Sequence, residues 1–513
     1  MQPPGLEALH VLAALARNLA APRQCPRALA RIAWAFACWG DEDQAVRLAR
    51  LAISEQRPLY HGHTPVLARS GATLVRAGSA AAGRVLLEEA GARLPRDREQ
   101  DRPEHTRAFV HALADAGLVD GPALDGLRRD PAPLAAAFRQ DPSPRLAGAV
   151  HRTTLDQATA EALRRAPLDE ASLIGLWHLG RLEPSDAAPL LQRLREALEY
   201  ARGRGGAAAS ECRGEALNEP HRRSHAVAVR LALEATDDLG WALPALTQAP
   251  RAGTVWLQAA LLDVLAGRGS PEASLPRFRQ GVAVCREVVR STPSFSLREQ
   301  AMRGLHDLLE ALARAHHLPD PARSELGWDL AVLLPDGRRH GPLERDLLRA
   351  LCALACSLAP DVGGELLEEL VARCEDADDR RRCPSTGLCL ARAAARLGRS
   401  AAPPILRGLV PVAPPPQARD ALLLLACAGA AHAVGDAGPA DAWLQESLQL
   451  FPALPREEQG DAIGAASSIA AGWPDQARGH LGLALARLLD GLAAPAPLLI
   501  GAVADLVTPR ARR

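Results

Sequence analysis

The stretch Ala28–Ile53, ALARIAWAFACWGDEDQAVRLARLAI, consists of two amphipathic segments separated by a Gly-Asp pair. Apolar residues recur at helical spacing in the first segment, at Leu29, Ile32, Ala33 and Phe36. Gly40 can end that helix in a left-handed conformation, and Asp41 can cap the helix that follows. Small residues in the second segment allow close packing of two antiparallel helices, at Ala45, Ala49 and Ala52. The stretch therefore predicts a helical hairpin.

The same pattern recurs along the chain. It returns over residues 67–95 with a break at Gly78, and three later breaks, Gly398, Gly435 and Gly472, follow one another at intervals of 37 residues. Hairpin breaks at a fixed spacing are typical of α-solenoids, in which each repeat packs only on its neighbours. We therefore expect an all-α fold.

These hairpins resemble the tetratricopeptide (TPR) family, with a divergent TPR-like or HEAT-like repeat. The family pattern combines apolar and small residues with a Gly-Asp turn and a closing Pro. The first match comprises Ile32, Ala33, Phe36, Gly40, Asp41, Ala45 and Ala52; the second comprises Leu424, Ala428, Gly435, Asp436, Ala440, Leu444 and Pro452. The repeat is longer than is usual in the family, and Ala replaces most aromatic positions. The resemblance implies a right-handed α-α superhelix.

The sequence also suggests a division into two arrays. Residues 1–202 and 221–508 are both helical in pattern, and a Gly/Ala/Ser-rich stretch at 203–220 predicts a hinge between them. Residues 509–513 form a basic tail. We expect further connections at 95–104 and 411–417.

Composition excludes several function classes. The chain contains no lysine, so it has neither a Schiff-base lysine nor a Walker lysine. Its 60 basic residues balance 60 acidic ones, so we expect no nucleic-acid partner. The lysine-free composition is typical of a GC-rich bacterial genome. No export signal or segment long enough for membrane insertion is evident, which favours a cytoplasmic protein with reduced thiols.

Few residues suggest catalysis or metal binding. Cys212, His221 and His225 have a spacing that could hold zinc, although a solvated helix start explains the histidines equally well. Cys374 and Cys383 flank a charged turn and could form a labile disulfide or a metal clip. Cys352 and Cys356, one turn apart, are expected as small core residues. We predict no catalytic residues, cofactor or bound metal.

The resemblance to TPR proteins implies a binding surface on the first helix of each hairpin, facing a concave groove. Residues between the packing positions would contact a partner there: Arg27, Trp34, Arg76, Arg392, Arg396 and His432. Arginine suits carboxylate recognition, and tryptophan suits apolar anchoring. Ordinary solvated arginines and a core tryptophan are the alternative interpretation.

The sequence thus predicts a non-enzymatic scaffold or adaptor that binds a protein or peptide, as a subunit of a bacterial assembly. It sets no oligomeric state. One alternative is a regulatory or sensor module that acts with a separate effector, and another is a metal- or thiol-dependent protein.

Overall fold

A computed structural model gives the fold of the chain. It describes residues 3–18, 25–55, 63–165, 169–189, 191–192, 271–291, 295–334, 342–373, 384–398, 401–410, 418–454, 456–470, 473–491 and 496–509. Every regular element in these ranges is helical, and the ranges contain no strand. The prediction of an all-α fold is confirmed.

Among the described residues up to His178 the chain forms eleven helices. They are α1 (Pro4–Asn18), α2 (Cys25–Trp39), α3 (Glu42–Ser54), α4 (His63–Arg76), α5 (Ala80–Arg93), α6 (Arg102–Asp115), α7 (Pro122–Arg129), α8 (Ala132–Gln140), α9 (Pro144–Arg152), α10 (Asp156–Arg165) and α11 (Glu170–His178). A short 3₁₀ turn, Leu94–Arg96, overlaps the start of the predicted connection at 95–104.

The helices resume at Pro271. They are α12 (Pro271–Ser291), α13 (Phe295–Arg314), α14 (Asp320–Ala331), α15 (Pro342–Ala355), α16 (Pro360–Arg373), α17 (Pro384–Leu397), α18 (Ala402–Leu409), α19 (Ala418–Val434), α20 (Ala437–Leu450), α21 (Arg456–Ala470), α22 (Asp475–Asp490) and α23 (Pro497–Val507). A second 3₁₀ turn spans Phe451–Ala453. Among the described residues, no helix is both long and apolar enough to cross a membrane.

The hairpin turn predicted at Gly40-Asp41 is confirmed in detail. Gly40 has a φ of 85°, a left-handed conformation that glycine adopts without steric cost. The backbone N–H of Asp41 donates to the carbonyl of Phe36 over 3.0 Å, which is the six-residue bond of a Schellman motif. The Asp41 side chain then accepts from the N–H of Gln44 over 3.1 Å and caps α3. One short turn therefore ends α2 and starts α3.

The same turn recurs at a nearly constant interval from Gly40 to Thr154, and once more at Gly180, 26 residues later. Left-handed residues follow α4, α6, α9 and α19, at Gly78, Gly117, Thr154 and Gly435. From Gly40 to Thr154 the intervals are 38, 39 and 37 residues, so the period found near the C-terminus also governs the N-terminal hairpins. Gly398 has a φ of 91°, whereas Gly472 lies outside the described residues.

Contacts divide the chain into two compact units. Unit 1 comprises Met1–Arg181 together with Leu448–Arg513, and unit 2 comprises Leu182–Ser447. The predicted hinge at 203–220 lies outside the described residues. The division of the chain at that hinge therefore stays a prediction.

In unit 1 α2 packs on α3 and α4 packs on α5 as helical hairpins, and α2, α4 and α6 pack successively on one another. The N-terminal and C-terminal helices also join in this unit, because α1 packs on α22 and α23 packs on both α1 and α2. The Trp39 indole N–H donates to the carbonyl of Val507 over 3.0 Å at this junction. Helices from both ends of the chain thus share one core.

Unit 2 shows the same order of packing. Helices α13, α15, α17 and α19 pack successively, and α14, α16 and α18 form a second series beside them. Contact between neighbouring hairpins is the arrangement expected of a helical-repeat solenoid. The prediction of an α-solenoid is confirmed, and the narrower TPR-like assignment stays a prediction.

Candidate binding surface

Trp34 lies at the centre of an arginine-rich surface in unit 1. Its side chain is buried at 7% exposure on α2, beneath α4. Arg69 and Arg76 lie two helical turns apart on α4, and their guanidinium carbons lie 5.3 Å and 5.5 Å from the Trp34 ring centroid. Guanidinium groups at this distance interact favourably with the indole face. The structure therefore brings together two of the predicted contact residues, Trp34 and Arg76, and adds Arg69.

Asp115, at the end of α6, lies between two of the arginines. It accepts a 2.8 Å ion pair from Arg69, and Arg152 on α9 approaches its other oxygen at 3.9 Å. One carboxylate thus serves two guanidinium groups. Within the described part of the chain, Arg76 and Arg145 have no carboxylate partner, and both are exposed.

The pKa of His111 is affected by the positive charges of this surface. Burial lowers its pKa to about 4, and the positive charges of Arg145, Arg69 and Arg152 add to that effect. Asp115 acts in the opposite direction, but its single negative charge does not compensate. His111 is consequently neutral at pH 7 and leaves the positive charge of the arginines undiminished.

We define the arginine cluster as Arg69, Arg76, Arg145 and Arg152. Two of the four pair with the Asp115 carboxylate, so these five side chains carry a summed charge of +3, although the whole chain is neutral. Exposed guanidinium groups offer planar pairs of donors that match carboxylates. The surface is suited to binding an anion with several carboxylates.

The other predicted contact residues lie apart from this cluster or serve different neighbours. Arg27 is exposed on α2, 3.9 Å from Glu104. His432 lies on α19 in unit 2, with its Nε2 3.4 Å from Asp441. Arg392 and Arg396 are exposed on α17, where their charges act on neighbouring cysteine thiols. Partner contact by these four residues stays a prediction.

Most of the cysteines and histidines of the metal and thiol hypotheses cannot be placed. Cys212, His221, His225, Cys374 and Cys383 all lie outside the described residues. Within the described ranges, no group of three potential His, Cys, Asp or Glu ligands is arranged to hold a metal ion. Cys352 is buried as predicted, and Cys356 is half-buried.

Sequence reasoning missed most of the arginine cluster. Arg69 belongs to α4, Arg145 and Arg152 belong to α9, and His111 and Asp115 lie one turn apart on α6. No local spacing links these positions. The only available signal was the recurrence of arginine at intervals of seven residues, at 69 and 76 and again at 145 and 152, which places each pair on one helix face.

A buried arginine signature was also missed. The stretches Pro319–Gly327, PDPARSELG, and Pro474–Gly482, PDQARGHLG, differ at only three positions and start helices in different units. In each, the arginine is 2% exposed and pairs with the preceding aspartate. Arg478 donates to the carbonyls of Leu506 (2.8 Å) and Thr508 (3.2 Å), and Arg323 donates to that of Ser357 (2.9 Å). Both arginines cap the end of a neighbouring helix, which is a structural role.

Comparisons with known proteins give little beyond the fold. No protein-family model matches this chain, and no curated protein sequence matches it significantly. One solved structure that does match is a circular tandem repeat protein with novel repeat topology and enhanced subunit contact surfaces. The two chains are 16% identical over 98% of this chain and 96% of the other, with a TM-score of 0.15. A likeness this low carries no argument about arrangement, so the packing described above stands by itself: the chain is an all-α helical-repeat protein.

Proposed function

We propose that this chain is a non-enzymatic interaction scaffold and that its arginine cluster binds an acidic segment of a partner protein. The observation that supports this proposal is the local charge of +3, with Arg76 and Arg145 lacking carboxylate partners in the described residues. A solenoid exposes more surface for its length than a globule, which favours a binding role.

The chemistry of the surface favours carboxylates. Arg76 is held against the Trp34 ring, so its guanidinium loses less side-chain freedom on binding than a free arginine would. Arg145 and Arg152 lie seven residues apart on α9 and present a second pair of donors. The arginines of α4 and α9 therefore offer donors to separate carboxylates of an extended acidic peptide. Trp34 supports the arginines rather than contacting the partner, because it is itself buried.

The setting of this function belongs to the same proposal. The arginine-only basic composition supports a bacterial origin, and a cytoplasmic location is part of the same proposal. The even overall charge favours an acidic protein segment over a nucleic acid, whose phosphates require a more extended basic face.

Fluorescence anisotropy with labelled peptides tests the proposal. The probes are Glu/Asp-rich twelve-residue peptides and matched peptides in which Gln and Asn replace the acids. We expect the acidic peptides to bind more tightly, and Arg76→Glu/Arg145→Glu to weaken that binding by at least about tenfold, since two attractive contacts become repulsive.

A matched control separates this site from general charge. Arg50→Glu/Arg84→Glu changes the net charge equally, at exposed positions on α3 and α5. It should leave binding within about twofold of wild type at fixed salt. Equal losses in the two double variants, or equal binding of acidic and neutral peptides, would refute the proposed site. Tighter binding of single-stranded DNA than of any peptide would instead indicate a nucleic-acid function.

A further inference from the structure

Three cysteines lie together in unit 2, at the packed interface of α15 and α17. Cys352 is on α15 and Cys356 immediately follows it, while Cys389 is on α17. The Cys352 side chain lies close enough to the Cys389 thiol to lower its pKa through a hydrogen bond. The Cys356 thiol donates to the carbonyl of Ala393 over 3.5 Å. From the first contact to the second, the position advances by four residues on each chain segment, from Cys352 to Cys356 and from Cys389 to Ala393. The two helices therefore run parallel here, with Cys352 opposite Cys389.

Arginines surround the pair on both helices. Arg349 precedes Cys352 by one turn on α15, and Arg392 and Arg396 follow Cys389 on α17. All three are exposed, and Cys389 is partly exposed as well. Cys389 is therefore accessible to a small reagent, whereas Cys352 is buried at 3% exposure.

The three thiols differ in acidity. The hydrogen bond from Cys352 lowers the pKa of the Cys389 thiol, and the neighbouring positive charges lower it further, against the effect of burial. Burial raises the pKa of Cys356 to about 11, although Arg396 opposes the increase. Thiolates, not thiols, are the reactive species. Cys389 is thus the nucleophile of the group, and Cys356, nearby, is an unreactive reference.

We propose that Cys389 is a peroxide-reactive cysteine and that Cys352 is its resolving partner, so that the two form a disulfide between α15 and α17. This inference is independent of the arginine cluster in unit 1.

The chemistry balances with hydrogen peroxide as the oxidant. The Cys389 thiolate attacks one peroxide oxygen, an S–O bond forms, the O–O bond breaks, and hydroxide leaves. The Cys352 sulfur then attacks the Cys389 sulfenic sulfur, an S–S bond forms, and the S–O bond breaks. The hydroxide released in this second step takes the Cys352 proton, and the hydroxide released in the first step takes the proton that the Cys389 thiol lost on ionising, so both become water. Two thiols have lost two electrons, and one peroxide has become two waters.

Alkylation rates test the nucleophile first. The reduced full-length protein is treated with iodoacetamide at pH 7.5, and each cysteine is followed by peptide mapping. We expect Cys389 to react at least about tenfold faster than Cys356, since its larger thiolate fraction outweighs its lower intrinsic nucleophilicity. Arg349→Gln/Arg392→Gln should slow Cys389 by about threefold or more, whereas Arg407→Gln, an exposed arginine on α18, should not. A Cys389 rate equal to or below that of Cys356 would overturn the assignment.

Peroxide treatment tests the pair. One equivalent of hydrogen peroxide should give a peptide in which Cys352 and Cys389 are joined by a disulfide. In Cys352→Ser, dimedone should trap a sulfenic acid at Cys389, and in Cys389→Ser neither product should form at Cys352. Circular dichroism of each variant confirms that it is folded. A disulfide from Cys389 to Cys356, Cys374 or Cys383, or a wild-type sulfenic acid without disulfide, refutes the proposed pair.

Discussion

At Thr154 a threonine occupies the turn position of the repeat that is otherwise glycine, so the sequence does not reveal the turn. It occupies the left-handed turn position with a φ of 57°, where the equivalent turns after α2, α4 and α6 have glycine. A β-branched residue in that region is strained, at a cost on the order of 1–3 kcal/mol. Its hydroxyl accepts a 3.0 Å hydrogen bond from Arg128, which offsets part of the cost.

Replacing this threonine should therefore stabilise unit 1. We expect Thr154→Gly to increase the free energy of unfolding by about 1 kcal/mol, since relief of strain exceeds the larger chain entropy of glycine. Urea unfolding measures the change. Gly117→Thr is the reciprocal control, because a Cβ at Gly117 would meet nothing within 4 Å and only its backbone conformation opposes the change. Destabilisation by Thr154→Gly would show that the Arg128 bond dominates.

His111 predicts a pH dependence at the same scale. Its pKa is about 4 in the folded chain and near 6.5 when unfolded, so between these values the unfolded chain binds more protons. Stability from this group is complete above pH 6.5 and decreases as the pH falls towards 4, by up to about 3 kcal/mol.

The His111→Gln variant isolates that contribution. Glutamine does not titrate, so wild type should lose stability relative to the variant between pH 7 and pH 4.5. The unfolding free energy of wild type minus that of the variant should therefore decrease and can change sign. Urea midpoints at a series of pH values give the difference. His151→Gln, an exposed histidine on α9, should follow the wild-type curve. Parallel curves for wild type and His111→Gln would contradict the depressed pKa.

At the scale of elements, two glycines determine how closely α4 and α5 pack. A Cβ at Gly83 would lie 2.6 Å from the carbonyl oxygen of Gly71 and 2.7 Å from the backbone nitrogen of Val75. The neighbouring atoms are backbone, which cannot rotate away. Gly71 meets the same limit from the other side, at 2.8 Å from the Gly83 carbonyl oxygen.

Alanine at Gly83 should consequently separate the two helices. We expect Gly83→Ala to lower the unfolding free energy by about 1–3 kcal/mol, despite the gain in helix propensity of up to about 1 kcal/mol. Gly148→Ala on α9 is the matched control, because nothing lies within 4 Å of its Cβ position. That variant should be neutral or stabilised. Thermal and urea unfolding distinguish them, and equal stability of both variants would refute close packing at Gly83.

Elements were the level at which the sequence was most informative. Leu29, Ile32 and Phe36 have apolar spacing that reports burial directly, and all are essentially inaccessible in the structure. Gly40 and Asp41 form the turn through local backbone conformation and capping, so a short stretch of sequence is enough to predict their role. The arginine cluster, by contrast, depends on the packing of α4, α6 and α9. The sequence has 60 arginines, and only the tertiary packing determines which of them lie near the same carboxylate. Helical periodicity does not predict that.

At the scale of the whole molecule, unit 1 joins segments that are more than 400 residues apart in sequence. Arg478 is central to this junction, since its guanidinium bonds the carbonyls at the end of α23 while its helix, α22, packs on α1. Gly479 permits the close approach, because a Cβ there would lie 3.1 Å from the backbone nitrogen of Gly5. Loss of Arg478 should therefore be felt at the N-terminus.

Hydrogen exchange can detect that coupling. In Arg478→Met, a buried carboxylate-paired arginine is removed and two carbonyls lose their donor, at a cost of about 3–5 kcal/mol. We expect faster amide exchange not only in α22 and α23 but also in α1 and α2, because all four helices share one core. Arg323→Met provides the matched control in unit 2: it removes the same signature residue, and its increased exchange should be confined to α14 to α16 and their neighbours. Faster exchange in α22 and α23 with unchanged α1 and α2 would mean that the two ends of the chain unfold independently.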